Sequence, residues 1–247
     1  QLPKWSWQKY YRISDYLLFN MHRYKIILEY LGAGYCGWQS QKEILSLQQI
    51  IEDAIFSFSK EQVTLIVAGR TDAGVNAYAQ VAHFDLEKQY DPKNLMHSIN
   101  HFSRPHTIGV VAAEMVGEEF HARFSAKARH YVYKILNRHS VNIINRGLQN
   151  HVRHDLDVEK MQKAANYLLG HHDFSSFRSS ECQSNSPIRT LNKVEIVKHS
   201  ENIEIYFSAL SFLHHMVRNI VGNLLMVGNG TWEVEKIKEI LEAKNRK

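Results

Sequence analysis

The chain has 247 residues, 44% of them hydrophobic and 22% charged, which gives enough length for a packed core and excludes a disordered chain. Lys and Arg number 30 against 25 Asp and Glu, a formal net charge of +5, and this leans towards a polyanionic partner without establishing one. Two cysteines, Cys36 and Cys182, without a Cys-x-x-Cys spacing, argue against a disulfide framework and a structural zinc site and fit a reducing, cytoplasmic compartment.

No apolar run approaches the roughly 18 residues of a membrane span. Residues 1–20 are aromatic-rich, lack the apolar centre of a signal peptide, and read as an extension outside the fold. Residues 24–30 (YKIILEY) form a first predicted strand. A glycine-punctuated loop follows with Tyr35, Trp38 and Gln39. Leu47, Ile50, Ile51, Ala54, Ile55 and Phe58 make one helical stripe behind Ser46 as N-cap. Residues 63–67 and 81–84 read as strands. Asp91-Pro92 opens a second helix, with Pro at its first position, and residues 108–116 are again a strand. The order β-α-β-β-α-β predicts a ferredoxin-like unit over residues 21–119, with a mostly antiparallel sheet and helices on one face.

Residues 120–247 repeat the theme. Residues 129–137 alternate as a strand, and a helical stripe from Val158 to Leu169 follows the cap Asp157. Residues 191–198 and 203–210 read as strands joined by a short turn. Leu213, Met216, Val217, Ile220, Val221 and Leu224 form a helical stripe, and residues 234–243 a last helix. The fold class expected is therefore α+β, two tandem ferredoxin-like units, with the boundary near residues 117–123. The second unit is expected to stop before a strand matching residues 108–116.

Residues 120–153 contain no Asp or Glu but carry Arg123, Lys127, Arg129, Lys134, Arg138, Arg146 and Arg153, interleaved with Phe120, Phe124, Tyr131 and Tyr133. Cations neutralise phosphates and aromatic faces stack on unpaired bases, so this stretch favours nucleic acid over a merely solvated basic face. Residues 172–178 and 182–189 are read as a long polar loop, too poor in apolar groups to be core. The 15 histidines invite a metal reading. His171-His172 and His214-His215 would diverge by about 100° on a helix, and no zinc-enzyme motif is present, so a metal site is not expected. A Gly-x-x-x-x-Gly-Lys phosphate loop is absent too.

The segment 68–75, Ala-Gly-Arg-Thr-Asp-Ala-Gly-Val, leaves a strand and turns through two glycines with Arg70 and Asp72 between them. A carboxylate beside a cation at a strand exit is a candidate catalytic group. It is equally an ordinary turn aspartate, because Asp and Gly are common turn formers.

Five motifs in register resemble those of the TruA family of tRNA pseudouridine synthases. They are Tyr30-Leu31-Gly32 through Gly37-Trp38-Gln39; the loop 69–75; Phe120-His121-Ala122-Arg123-Phe124-Ser125-Ala126 followed by Arg129-His130-Tyr131; residues 172–178; and residues 212–222. The resemblance implies isomerisation of uridine to pseudouridine at positions 38, 39 and 40 of the tRNA anticodon stem-loop. It implies a homodimer, with no cofactor and no metal. It assigns Asp72 as nucleophile, Tyr131, Arg70 and Arg218 to the substrate, and Arg218 as the cation that favours an ionised carboxylate. Further RNA contacts are expected from Phe120, His121, Ala122, Arg123, Phe124, Arg129, Arg178, Gln183, Ser184 and Arg189. A non-catalytic RNA-binding module of the same fold is the alternative. Asn76 stands where the family usually has His, so altered packing or RNA contact is expected there rather than lost catalysis.

Overall fold

The computed structural model describes residues 21–39 and 44–245; the extension expected over residues 1–20 lies outside them. By its internal packing the chain divides into two compact units, Gln1–Phe124 and Ser125–Lys247.

Strict alternation along β1 (His22–Tyr30) buries Tyr24, Ile26, Leu28 and Tyr30 on one face. The same face of β3 (Ala77–Leu86) contributes Ala82, Phe84 and Leu86. Two helices cover it. α1 (Leu47–Ser59) presents Leu47, Ile50, Ile51, Ala54 and Ile55, and α2 (Pro92–Phe102) presents Leu95 and Ile99. Both starts follow from the sequence: Ser46 Oγ accepts from Gln49 N at 3.2 Å and Asp91 Oδ1 from Asn94 N at 3.0 Å, with Pro92 at the helix entry. With β2 (Ile66–Val67) and β4 (Ile108–Val116), the sheet order is β2-β3-β1-β4 and every pairing is antiparallel. That is the arrangement a split β-α-β unit produces.

The strand expected over residues 63–67 is shorter. Only Ile66 and Val67 pair with β3, and Leu65 N donates to Glu52 Oε1 of α1 at 2.8 Å instead of to a neighbouring strand.

The second unit contains β5 (Arg129–Asn137), β6 (Asn150–Val152), α3 (Val158–Asn166), β7 (Gly170–Asp173), β8 (Ile188–His199), β9 (Asn202–Ala209), α4 (Met216–Gly228) and α5 (Lys236–Ala243). Its sheet runs β6-β5-β9-β8-β7, with only β5 and β6 parallel. The class matches the first unit, α+β with an antiparallel-rich sheet, but the strand order differs, because the β8–β9 hairpin places β9 beside β5. Its core joins Ile203, Ile205 and Phe207 of β9 with Met161, Ala164 and Ala165 of α3 and Ile220, Val221, Leu224 and Val227 of α4.

The polar-loop reading of residues 172–178 needs correction. His172 and Asp173 end β7, a one-turn 3-10 helix spans Ser175–Phe177, and Phe174 and Phe177 are fully buried in this core. Two aromatic side chains outweigh five polar ones because each buries so much area. Among the described residues no helix is long and apolar enough to cross a membrane. Both cysteines are free thiols.

Candidate functional site

The loop between β2 and β3 carries Arg70 and Asp72, and it is tied down at almost every residue around them. Ala68 N donates to Val81 O at 2.8 Å, which holds the loop's first residue to β3. Gln80, at an otherwise apolar position of β3, donates from Nε2 to Gly69 O at 2.5 Å. Thr71 is held twice: its Oγ1 lies 2.8 Å from the Tyr30 hydroxyl, and its carbonyl accepts from Trp38 N at 3.0 Å. Asp72 O accepts from Val75 N at 3.1 Å, closing a turn in which Gly74 takes φ +77°.

The loop at residues 32–38 fits against this turn. A Cβ built on Gly37 would lie 2.7 Å from Thr71 O and 3.1 Å from Ala73 N. Asn76 accepts from Gly32 N through Oδ1 at 2.8 Å. Asn76 thus fastens the two loops together. Arg70 is exposed and Asp72 is half-buried. The outcome is an aspartate whose backbone neighbours are fixed, an arrangement suited to a carboxylate that must meet a reacting atom in one geometry.

On the other face of the same sheet, residues 117–124 cross β1 and β3. Arg23 pairs with Asp85 (Nε to Oδ1 2.7 Å, Nη2 to Oδ2 2.8 Å) and donates from Nη1 to the carbonyls of Phe120, at 2.9 Å, and Glu118. The hydrogen bonds from Arg23 hold the Asp85 carboxyl below the usual range. His83 is 2% exposed, and its Nδ1 accepts from Ala122 N at 3.1 Å. Burial, then the neighbouring cations, push the His83 imidazole below its ordinary value.

These ties decide what the segment presents. Ala122 is buried against the sheet, whereas Phe124 is 77% exposed, with the His121 ring 4.4 Å from it and the Arg123 guanidinium 5.7 Å from its centroid. Phe120 stands edge-on to His83, at 6.0 Å. Arg123 and Phe124 therefore face solvent, and Ala122 serves as the anchor.

In the second unit Tyr131 lies on β5 opposite Phe207, half-exposed, with its ring at 88° to Phe212 and 5.1 Å away. The ring packs partly against the core of this unit. Tyr133, two residues on, shares that face. Burial pushes its hydroxyl pKa up, while the charge of Arg218, in the first turn of α4, opposes the shift. Arg129 donates to the carbonyl of Leu210. His214 and His215 do not diverge as a helical pair would. His215 caps α4 with φ +60°, and the two rings lie 3.9 Å apart.

Among the remaining expected contacts, Arg178 follows the 3-10 turn, half-buried, and Gln183 is exposed. Arg189 turns back into its own loop: Nη1 donates to Ser186 O at 2.9 Å and Nη2 to Ser184 Oγ at 2.8 Å. Burial pushes the Arg189 guanidinium down, which fits a group organising the loop from within.

Sequence reading missed Tyr30, Gln80 and His83 as supports of this site. The available signal was in β3, where Gln80 and His83 interrupt a run that is otherwise apolar from Ala79 to Phe84.

A profile of the family described as tRNA pseudouridine synthase matches residues 26–125 and 164–247. The protein called tRNA pseudouridine synthase A in Ehrlichia canis is 52% identical over 225 residues, covering 91% of this chain and 92% of that protein. Its counterpart of the same name in Ehrlichia chaffeensis is 48% identical over 225 residues, with the same coverage of 91% and 92%. The profile takes in the pinned Asp72 loop, the segment on the open face of the first sheet, and α4. With half the residues shared along nine-tenths of two relatives, the chain belongs to the tRNA pseudouridine synthase family.

Proposed function

We propose that this chain isomerises uridine to pseudouridine in tRNA, at positions 38, 39 and 40 of the anticodon stem-loop, with Asp72 as the catalytic carboxylate. The observation that carries the reading is the Asp72 loop itself. Fixing the residues before and after one partly exposed aspartate serves chemistry and has little use in a surface turn. Family membership supplies the reaction, and the pinned loop supports its assignment to Asp72.

The reaction breaks the N1–C1′ bond of uridine, turns the base, and joins C5 to C1′. C5 gives up its hydrogen to solvent and N1 gains one, so atoms and electrons balance without a redox partner. Asp72 either attacks C1′ or removes the C2′ proton; both roles require the ionised carboxylate. The target base sits in a stem and must leave it, which costs a few kcal/mol of unstacking. Arg70, exposed beside Asp72, enters the vacated space. Tyr131 stacks on the extruded base, and Arg218 binds the substrate. Arg123 and Phe124 contact the RNA from the first unit. A cytoplasmic homodimer that works without metal completes the reading; sedimentation of the purified chain tests the dimer.

The decisive experiment measures tritium released from tRNA labelled at uridine C5. Release by the parent protein in the presence of EDTA is expected. Asp72→Ala should reduce it by about 10³-fold or more while tRNA binding persists, as removal of a nucleophile does. Release undiminished in Asp72→Ala sinks the assignment of Asp72. Tight tRNA binding by the parent with no release from any tRNA makes the protein a binding module instead.

A further inference from the structure

The machinery described so far touches substrate, but the buried hydrogen bonds beneath the Asp72 loop do not. Tyr30 is 2% exposed and Gln80 8% exposed, and both lie in the middle of the first sheet. The Gln80 amide group has two N–H donors. One reaches Gly69 O at 2.5 Å and the other the Tyr30 hydroxyl oxygen at 3.4 Å. That oxygen thus accepts from Gln80, and the Tyr30 hydroxyl shares a further hydrogen bond with Thr71 Oγ1, 2.8 Å away. The hydrogen bonds link Gln80, Tyr30 and Thr71 in sequence. Their two ends hold Gly69 and Thr71, the residues on either side of Arg70, and Thr71 immediately precedes Asp72. Burial pushes the Tyr30 hydroxyl pKa up, so the phenol stays protonated and neutral within this network.

We infer that Tyr30 and Gln80 are positioning residues for the reaction, setting the direction of Arg70 and Asp72 through Gly69 and Thr71. The inference rests on the reading of Asp72 given above. A polar pair in a sheet core is disfavoured unless its groups are hydrogen-bonded, and here the loop residues Gly69 and Thr71 supply such partners. The Tyr30 ring also packs 5.8 Å from Trp38, whose backbone amide holds the Thr71 carbonyl. Thr71 is therefore clamped through its side chain and its carbonyl by two neighbouring aromatic residues. A loop released at this point keeps its fold and its RNA-facing groups but loses the fixed aim of its carboxylate.

The test separates chemistry from binding by measuring single-turnover tritium release and tRNA affinity on the full chain. Tyr30→Phe keeps the ring and removes only the hydroxyl; Thr71→Val removes the Thr71 hydroxyl; Thr71→Ser keeps it. Tyr30→Phe and Thr71→Val should each slow release by about 10- to 100-fold, the scale on which a misaimed group costs rate, with Kd for tRNA within about threefold of the parent's, less than half a decade. Thr71→Ser should restore the rate, and the double variant should be no slower than Thr71→Val, because both remove the same hydrogen bond.

Normal rates in Tyr30→Phe and Thr71→Val overturn the inference, as does a Thr71→Ser protein as slow as Thr71→Val. So do losses of rate that merely follow losses of affinity. If Tyr30→Phe fails to fold, the half-exposed Thr71 pair decides alone. Failure of the underlying reading is distinct: it is the release of tritium by Asp72→Ala. A slow Asp72→Ala beside a fast Tyr30→Phe and Thr71→Val sinks the positioning role only.

Discussion

At the scale of single residues, the site depends on groups with no chemistry of their own. Gly37 is the clearest. Its φ of +104° lies in the left-handed region, and an added Cβ would press on the Thr71 carbonyl at 2.7 Å. The three nearest atoms, of Thr71, Asp72 and Ala73, are all backbone, so nothing flexible can yield. Gly37→Ala should cost about 1–3 kcal/mol, the range for a strained backbone residue, read as a lower urea midpoint. It should also lower tritium release by more than that loss of folded protein accounts for, since the displaced atoms adjoin Asp72. An alanine variant with parental rate and midpoint would mean that the two loops are not in rigid contact. Asp72 could be singled out only through the resemblance of the loop 69–75 to a family motif, because Arg-Thr-Asp between glycines reads by itself as a turn. The importance of Gly37 was not legible in the sequence, since it arises from contact with a loop far along the chain, at Thr71 to Ala73.

At the scale of elements, local signals did well and edges did badly. Ser46, Asp91 and Asp157 each cap the helix expected of them, because capping involves a side chain and an amide two or three residues apart. The short outer strands β6 and β7 carried no signal. Asn-His-Val and Gly-His-His-Asp have neither alternation nor enough apolar groups, and they become strands only because β5 and β8 offer free edges. β3 and the segment laid over it illustrate how a strand positions a functional surface. The hydrogen bond from Ala122 N requires a neutral Nδ1 on His83, which is why acid should weaken this attachment.

The sign follows from linkage. The folded pKa of His83 is below its unfolded value, so the unfolded chain binds more protons as pH falls past the ordinary histidine range. Stability is thus full above the unfolded pKa, near 6.5, and declines as pH drops towards the lower folded value, after which this contribution levels off. Arg23, Asp85 and His121 are the charged or titratable groups acting on the ring. Asp85 works in a separate window: its lowered carboxyl pKa stabilises the fold above its unfolded value and is lost only in stronger acid, through the folded value. His83→Asn, which retains an acceptor oxygen near the Nδ1 position, should flatten the dependence of urea stability on pH between neutrality and mild acid. A His83→Asn variant with the parent's slope would assign that slope to other groups.

At the scale of the whole molecule, composition foretold a partner better than it foretold an architecture. Each unit has its own core and its own strand order, and periodicity, which reports one face of one element at a time, could not distinguish those orders. Charge is different, because it acts through solvent and depends less on packing. The net charge is only +5, yet residues 120–153 carry no acid at all. Within the stretch, the structure assigns unequal tasks. Arg138 pairs with Glu201 at 3.0 Å and Lys134 with Glu204 at 3.5 Å, and Arg123 is exposed on a segment anchored by Arg23 and His83. An anchored cation reaches a phosphate with less loss of freedom, so Arg123 should contribute more to RNA binding than its charge alone suggests. Measured across a series of salt concentrations, tRNA affinity should fall linearly on logarithmic axes as counterions are released. Arg123→Ala should reduce that slope by about one, weaken binding similarly for different tRNAs, and leave single-turnover release at saturating tRNA within about twofold, as expected of a phosphate contact. Lys134→Ala should leave the slope unchanged, because its ammonium already has a carboxylate beside it. An unchanged slope in Arg123→Ala, or a larger change in Lys134→Ala, would move the RNA-binding surface away from residues 117–124.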